Sequence, residues 1–172
     1  MIHTLRDAVQ PSKGPNVRAP AVAGRFYPAA PAELEAAVRR LLAAAKPCPP
    51  GRVRALIAPH AGYACSGEVA AATYRALGRP AEQSAAEQPV TEQPAAHPTG
   101  EEPPVVYLLG PAHWRPVDGV GLPRATAFAT PLGTVEVAAD RVAHLLRRGG
   151  QYHLNEAAHL PEHGLEVQLP FL

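Results

Sequence analysis

Two histidines stand directly after the two most apolar runs of the chain. His60 follows VRALIA (53–58) within APHAGY, and His113 follows VVYLLG (105–110) within LLGPAHWRP. Such runs are typical of parallel strands buried on both faces, and side chains beyond the carboxyl ends of these strands meet at one edge of the sheet. Two imidazoles at one edge would begin a metal site, which a further His, Cys, Asp or Glu has to complete. The alternative is that each histidine only makes a hydrogen bond within its loop.

A second group of titratable residues lies in HLPEHGLEVQLPFL and comprises His159, Glu162, His163 and Glu166. A histidine beside a carboxylate suits general acid–base chemistry, or the orientation of a metal ligand by a neighbouring carboxylate. The spacing differs from the HExxH pattern because Glu162 and His163 are adjacent. A surface cluster of ion pairs explains the same residues equally well.

Three further residues flank the first two histidines. Cys65, five residues after His60, could act as a soft metal ligand or a nucleophile, but a cysteine between small residues before a helix is more often simply packed. Tyr63 and Trp114 could line a pocket, although aromatic residues beside loops commonly only pack.

The periodicity of apolar residues predicts the elements that must position these side chains. Helices are expected over 33–45, 68–77 (with Ser66 as N-cap) and 138–150, where Gly149 ends the last one. A short strand is expected over 134–137, an extended segment over 119–125 and a turn over 130–133. Strand 53–58, helix 68–77 and strand 105–110 together predict a βαβ unit. The fold class is therefore α/β, with a mixed or parallel sheet flanked by helices.

Composition divides the 172 residues into three kinds of segment. Residues 1–19 carry Pro11, Gly14 and Pro15 and little apolar periodicity, and we expect a flexible leader there; residues 20–172 are expected to form the α/β domain. Within it, 79–104 holds six of the 21 prolines and five acidic residues, a composition typical of a disordered insertion.

Charge, cysteine content and motifs exclude several classes of function. The net charge of +1 offers no general basic field for nucleic acid. Two cysteines, Cys48 and Cys65, cannot form a disulfide framework, so a reducing cytoplasm is expected. No signal peptide or membrane-spanning run is expected. Phosphate-binding loops and the GxSxG elbow are also absent from the sequence.

Several segments together closely resemble the Memo-like family, also called AmmeMemoRadiSam system protein B. The similarity covers about 20–78 and 105–172 in order, and its most specific parts match APHAGY and EHxLEVQLPF. The segments that carry it are RAPAVAGRFYP, ALIAPHAGYACSGEVAAATYRAL, LLGPAHWRPVDGVGLP, TPLGTVEV and HLPEHGLEVQLPFL.

The resemblance implies a fold similar to class III extradiol dioxygenases, with a metal-type site at one rim of an α/β sheet. It implies that His60 and His113 are metal ligands and that His163, with Glu162 beside it, lines the same pocket. Iron or copper is the implied metal, and redox or oxygen chemistry on an unknown small molecule or peptide is the implied activity. Radical SAM and AMMECR-like proteins are the implied partners.

The sequence departs from the family pattern in three ways. LEVQLPFL stands in the middle of an apolar pattern, and in the family a cysteine beyond it completes the metal triad, so a truncated member with an incomplete fold and a missing third ligand is expected. Gly164 replaces the usual serine of EHSLE, and 79–104 is an apparent insertion. Two alternatives to an oxygen- or redox-active enzyme therefore stay open: a non-catalytic metal- or peptide-binding component, and an inactive remnant.

Overall fold

The computed structural model of the chain describes residues 16–46, 53–77 and 105–172. The predicted insertion at 79–104, Cys48 and residues 1–15 of the predicted leader lie outside these ranges. None of the described helices has the length and apolar character that crossing a bilayer requires.

The described residues contain both helices and short strands, as the α/β fold class predicts. The helices are α1 (Pro31–Ala44), α2 (Tyr63–Arg75), α3 (Ala139–Arg148), α4 (Glu156–His159) and a 3₁₀ helix (Glu166–Phe171). The strands are β1 (Val17–Arg18), β2 (Val120–Leu122), β3 (Ala127–Thr130), β4 (Gly133–Glu136) and β5 (Tyr152–Leu154).

The strands form two small sheets. In the first, β1 is parallel to β3, and β3 is antiparallel to β4, with Phe128 opposite Val135 across the hairpin. In the second, β2 is parallel to β5, with Val120 opposite Tyr152. The first sheet is therefore mixed. The strand predicted at 134–137, the turn predicted at 130–133 and the extended segment predicted at 119–125 are all confirmed.

The helices agree with the periodicity of the sequence, except at one boundary. The helices predicted at 33–45 and 138–150 are confirmed, and Gly149 ends α3 with a φ of 61°, a conformation that glycine adopts without steric cost. Helix α2 begins at Tyr63, earlier than predicted, and Gly62 is its N-cap. Ser66 is not the N-cap, because its hydroxyl lies inside the first turn and donates to the carbonyl of Ala61.

The predicted leader boundary at residue 19 lies too late in the chain. Val17 and Arg18 already pair with β3, and Arg18 is buried. Polar and proline-rich neighbours led to the assignment of these two residues to a loose segment. Their pairing partner is more than a hundred residues away, so no local pattern reveals it.

The two predicted buried strands, 53–58 and 105–110, are not strands in this structure. Neither segment pairs with another among the described residues, and large apolar side chains on them are exposed, with Ile57 96% and Leu109 86% accessible. A central strand needs hydrogen-bonding partners on both edges and covering layers on both faces. The part of the chain that the structure describes supplies neither, so the expected βαβ unit does not form there.

The main hydrophobic core lies between the turn after β1, helix α1 and the 3₁₀ helix. Its buried members are Val22, Tyr27, Leu34, Val38 and Val167, and Tyr63 and Phe171 pack against them. This core therefore joins the amino-terminal part of the described chain to the EHGLEVQLPF segment.

His159 gives the fold a pH-dependent stability. Burial lowers the pKa of this imidazole below its ordinary 6.5, although the carbonyl of Gly121, which faces its Nε2 at 3.1 Å, and the charges of Glu156 and Glu162 oppose the shift, while Arg18 adds to it. In the range just below 6.5 the unfolded chain therefore binds a proton that the folded chain does not. Stability is fully present above this range and falls as the pH drops towards the folded pKa.

We accordingly expect the wild type to lose more unfolding free energy between about pH 7.5 and about pH 5.5 than a His159→Gln variant does. Glutamine is chosen because its amide can still donate to Gly121. Chemical denaturation at both pH values measures the difference, with His144→Gln as the control at an exposed position of α3. Equal pH dependence in the wild type and His159→Gln would contradict the assignment.

Candidate metal centre

His60 lies on the loop between the segment 53–58 and helix α2. Gln168 anchors this loop, since its amide donates to the carbonyl of Pro59 at 3.1 Å and its Oε1 accepts from Tyr74 at 2.9 Å. The backbone N–H of Tyr63 donates to the carbonyl of Phe26 at 2.7 Å. These bonds position His60 without the strand that was expected to present it.

His113 is positioned by the carboxylate of Glu162. Its backbone N–H donates to Oε2 at 2.7 Å, and its ring Nδ1 lies 2.8 Å from Oε1. An ionised carboxylate can only accept, so Nδ1 carries a proton, and in the neutral form of this ring Nε2 has the free lone pair. A neutral imidazole held in this way presents the nitrogen that binds metal ions.

His163 completes a group of three imidazoles from three separate segments. Its ring stacks on His113 with centroids 4.5 Å apart, and the His60 ring lies 5.1 Å from His113 and 6.0 Å from His163. The ring of Phe26 makes an edge contact with His163, with centroids 4.8 Å apart. The structure thus brings together all four residues predicted for the site, because Glu162 contacts His113 and is adjacent to His163.

The charges of the site follow from burial and hydrogen bonding. Burial alone would raise the pKa of Glu162, but hydrogen bonds from the N–H of Gly164 and from the backbone and ring of His113 outweigh it and lower the pKa to about 2. Burial and the neighbouring imidazoles lower the pKa of His163, against the opposing charge of Glu162. At neutral pH, Glu162 is therefore an anion and His163 a neutral base.

Glu162 is close enough to the histidines to be a metal ligand itself, since its carboxylate and the ligand nitrogens of His113 and His163 lie within 4.8 Å of one another. Its oxygens already accept from His113 twice, from the N–H of His163 at 2.9 Å and from the N–H of Gly164 at 2.8 Å. A carboxylate with four donors has little remaining capacity to bind a cation. By contrast, the ring nitrogens of His60 and His163 make no hydrogen bond to a described residue, although Nδ1 of His163 lies 3.5 Å from Oε1 of Glu162. His60 lies outside the group of ligand atoms within 4.8 Å of one another, but its ring nitrogens, like those of His163, have more capacity for a metal ion than the carboxylate.

Gly164 lies beside Glu162 and His113. A Cβ at this position would lie 3.2 Å from Glu162 Oε1 and 3.7 Å from Cε1 of His113. The missing side chain, which departs from the family pattern, therefore leaves room next to the carboxylate that orients His113.

A buried ion pair behind the site fixes the segment that carries Glu162 and His163. Glu166 is fully buried and accepts from Arg18 at 2.6 Å, from the N–H groups of Ala21 and Val22, and from the hydroxyl of Tyr27 at 2.6 Å. Arg18 also donates to the carbonyls of His159 and Glu162. Every donor and acceptor of this network is therefore paired within the protein.

Sequence reasoning missed Arg18 and did not separate the roles of the two carboxylates. The only local signal for Arg18 is a single arginine between Val17 and Ala19, in a segment that otherwise reads as loop. For Glu166, the signal is its position one helical turn after Glu162, which fits a surface ion-pair pattern and an acid–base or ligand-orienting role equally well. The tertiary structure gives the two buried carboxylates different partners: Glu162 binds His113, and Glu166 binds Arg18.

Two neighbouring cavities open beside the imidazoles. The larger, of about 680 Å³, is an open cleft lined by the three histidines, by Pro59, Ala61 and Gly62 of the loop before α2, and by Ala64 and Cys65 at the start of α2. The smaller, of about 220 Å³, is lined by Val22, Trp114 and Pro161 among others. Arg25, Phe26 and His163 line both cavities.

The structure places the three residues that flank the histidines, Cys65, Trp114 and Tyr63, in different surroundings. Cys65 is an exposed free thiol on the wall of the larger cleft, and it does not belong to the group of close ligand atoms. Trp114 lines the smaller cavity. Tyr63 packs in the core against Tyr27 and Phe171, and its hydroxyl donates to the carbonyl of Val167.

Comparison with known proteins gives consistent matches. The family model described as Memo-like protein matches residues 18–172. A MEMO1 family protein from Methanopyrus kandleri is 39% identical over 171 residues, which cover 90% of this chain and 50% of the relative. One from Methanothermobacter thermautotrophicus is 34% identical, covering 91% of the chain and 52% of the relative, and one from Aquifex aeolicus is 36% identical, covering 91% and 49%.

The chain spans about half the length of these curated relatives. The matched region nevertheless includes every residue of the imidazole group and of the buried ion pair behind it. This chain therefore belongs to the Memo-like protein family.

Proposed function

We propose that this chain binds one iron or copper ion through His60 and His113, as the core of a redox protein with class III extradiol dioxygenase-like architecture that acts on a small molecule. The observation that carries the proposal is the convergence of three imidazoles, one of which is oriented by a buried carboxylate. Imidazole is a preferred ligand of both iron and copper, and a histidine whose second nitrogen donates to a carboxylate is typical of metal sites.

When bound, such an ion supplies Lewis acidity and one-electron redox chemistry. The residues of the chain prepare the site for it. Glu162 keeps the Nδ1 proton of His113 in place, which leaves Nε2 as the nitrogen available to a metal ion. Phe26 packs against His163 in an edge contact and helps to fix its ring.

His163 is proposed as the proton acceptor of the site. Its lowered pKa keeps the ring neutral at physiological pH, and the ring lines both cavities. A group bound in either cavity can therefore transfer a proton to it without competition from a bound proton. The proposed location is the reducing cytoplasm, and radical SAM and AMMECR-like proteins are the proposed partners.

Metal titration of the purified chain tests the proposal. We expect the wild type to bind about one Fe(II) or Cu ion per chain under anaerobic conditions, and we expect His60→Ala and His113→Ala each to abolish stoichiometric binding. His144→Ala, at an exposed histidine of α3, is the matched control and is expected to keep it. Wild-type protein without metal affinity, or an equal loss in His144→Ala, would refute the proposal for this chain.

A further inference from the structure

Arg25 is a cation that lines both cavities. It has no role in the proposed metal centre. It lines both the 680 Å³ cleft with the histidines and the adjoining 220 Å³ pocket. Its side chain is exposed, and it makes no ion pair or side-chain hydrogen bond within residues 16–46, 53–77 and 105–172. By contrast, the buried Arg18 pairs with Glu166, and the exposed Arg39 pairs with Glu35.

The backbone of Arg25 is held in a defined place. A tight turn forms around it, in which the N–H groups of Arg25 and Phe26 donate to the carbonyl of Val22 at 3.0 and 2.9 Å. Gly24, with a φ of 77°, supplies the left-handed residue that this turn requires. The N–H of Val22 is in turn bound to Glu166, so the turn is fastened to the buried ion pair.

Among the residues that the structure describes, no carboxylate lines either cavity. Arg25 is the only permanently charged residue among these lining residues, and the carboxylate of Glu162 is turned away into its hydrogen bonds with His113 and the backbone. The amino end of α2 opens onto the larger cleft through Gly62 and Ala64, and its peptide dipoles add partial positive charge. An anion entering the cleft therefore meets neutral or positive groups on its described walls.

The smaller cavity is mainly apolar. Val22, Phe26, Trp114 and Pro161 form its walls beside Arg25. A dry apolar cavity of about 150 Å³ accepts a benzene ring, so a half-open one of about 220 Å³ has room for a ring or a short branched chain.

We infer that the site takes a small organic anion, whose anionic group pairs with Arg25 and whose apolar body lies against Phe26 and Trp114. This inference rests on the proposed function, since it names the substrate class for the same cleft. A guanidinium is always charged and can pair with a carboxylate through two parallel hydrogen bonds. Arg25 is then the specificity-determining residue that selects an anion and places it beside the imidazoles.

The single tryptophan of the chain provides a direct measurement, because Trp114 lies on the wall of the smaller cavity. Chelator-treated protein is titrated with benzoate, and with neutral benzamide as a probe of the same shape, while the fluorescence of Trp114 is recorded. We expect a saturable change with benzoate and a clearly weaker one with benzamide. Arg25→Gln is expected to weaken benzoate binding about tenfold or more and to leave benzamide unchanged.

Arg40→Gln is the matched control, because it removes one exposed positive charge of α1 that lines neither cavity. It is expected to change benzoate binding by less than about twofold. The inference is wrong if the wild type shows no saturable change with millimolar benzoate, if benzamide binds as well as benzoate, or if Arg25→Gln behaves like the wild type or like Arg40→Gln. Because no metal is present in this titration, its failure leaves the histidine site untouched, and failure of the metal titration leaves this test intact.

Discussion

Replacing Arg18 with methionine is expected to destabilise the fold by about 3–5 kcal/mol, because it leaves the carboxylate of Glu166 buried without its counter-charge. The two side chains are 1% and 0% exposed, so water cannot replace the lost partner. Arg18 also donates to the carbonyls of His159 and Glu162, which would lose a donor as well. The affected segment is the one that carries His163, so a loss of this size would also loosen the proposed metal centre.

Chemical denaturation of the wild type and Arg18→Met measures this effect. The matched control is Arg39→Met, because Arg39 and Glu35 form an ion pair of nearly the same length, 2.7 against 2.6 Å, on the exposed face of α1. With side chains 78% and 54% exposed, that pair is screened by water, and the control should lose less than about 1 kcal/mol. If Arg18→Met fails to fold, the milder Glu166→Gln variant, which keeps the shape of the side chain, should still be clearly less stable than Arg39→Met. Similar losses in the buried and the exposed pair would contradict the role of Arg18.

Replacing Glu162 with glutamine is expected to lower the affinity for the metal by about 10–100-fold without removing any proposed ligand. The carboxylate holds the Nδ1 proton of His113, which fixes both the tautomer and the direction of the ring. A glutamine of the same size can present its amide to the ring, so the orientation and the basicity of Nε2 are no longer maintained. The effect is therefore expected in the dissociation constant of the metal, and the stoichiometry should stay at about one ion per chain.

Isothermal titration of the folded variants with Fe(II) or Cu tests this prediction. Glu156→Gln serves as the control, because the side chain of Glu156 accepts from the backbone N–H of Arg124 and forms no ion pair or hydrogen bond with His60, His113 or His163 among the described residues. Its affinity should match that of the wild type. An unchanged affinity in Glu162→Gln would show that Glu162 does not act through His113, and a complete loss of binding would show that it is itself a ligand.

Long side chains position the histidines of the proposed centre, a role that the sequence pattern assigned to the strands of a parallel sheet. Neither 53–58 nor 105–110 forms a strand, yet His60 and His113 still lie together. Gln168 holds the loop before His60, and Glu162 holds His113 by both its backbone and its ring. Both residues come from the same short segment, so EHGLEVQLPF arranges the site as well as contributing His163 to it.

The sequence by itself determined the three longer helices, the turn at 130–133 with the strand after it, and the candidate residues. The 3.6-residue periodicity of 33–45 and 138–150 and the glycine after the latter are local signals, and the structure confirms both helices. His60, His113, Glu162 and His163 were identified from residue type, position and family resemblance, and the resemblance to the Memo-like family is confirmed by the comparisons. The chemistry of a side chain depends on residue type, which the sequence gives directly.

Only the tertiary structure decided which strands exist and what each charged residue does. A strand requires a partner, and the apolar runs at 53–58 and 105–110 have none among the described residues, whereas Val17 and Arg18 find one in β3. Burial then separates residues of identical type: Arg18 neutralises Glu166, while Arg25 stays free at the cavities. Pairing, burial and counter-charges join residues that are far apart in the chain, and for that reason no local pattern of residues contains them.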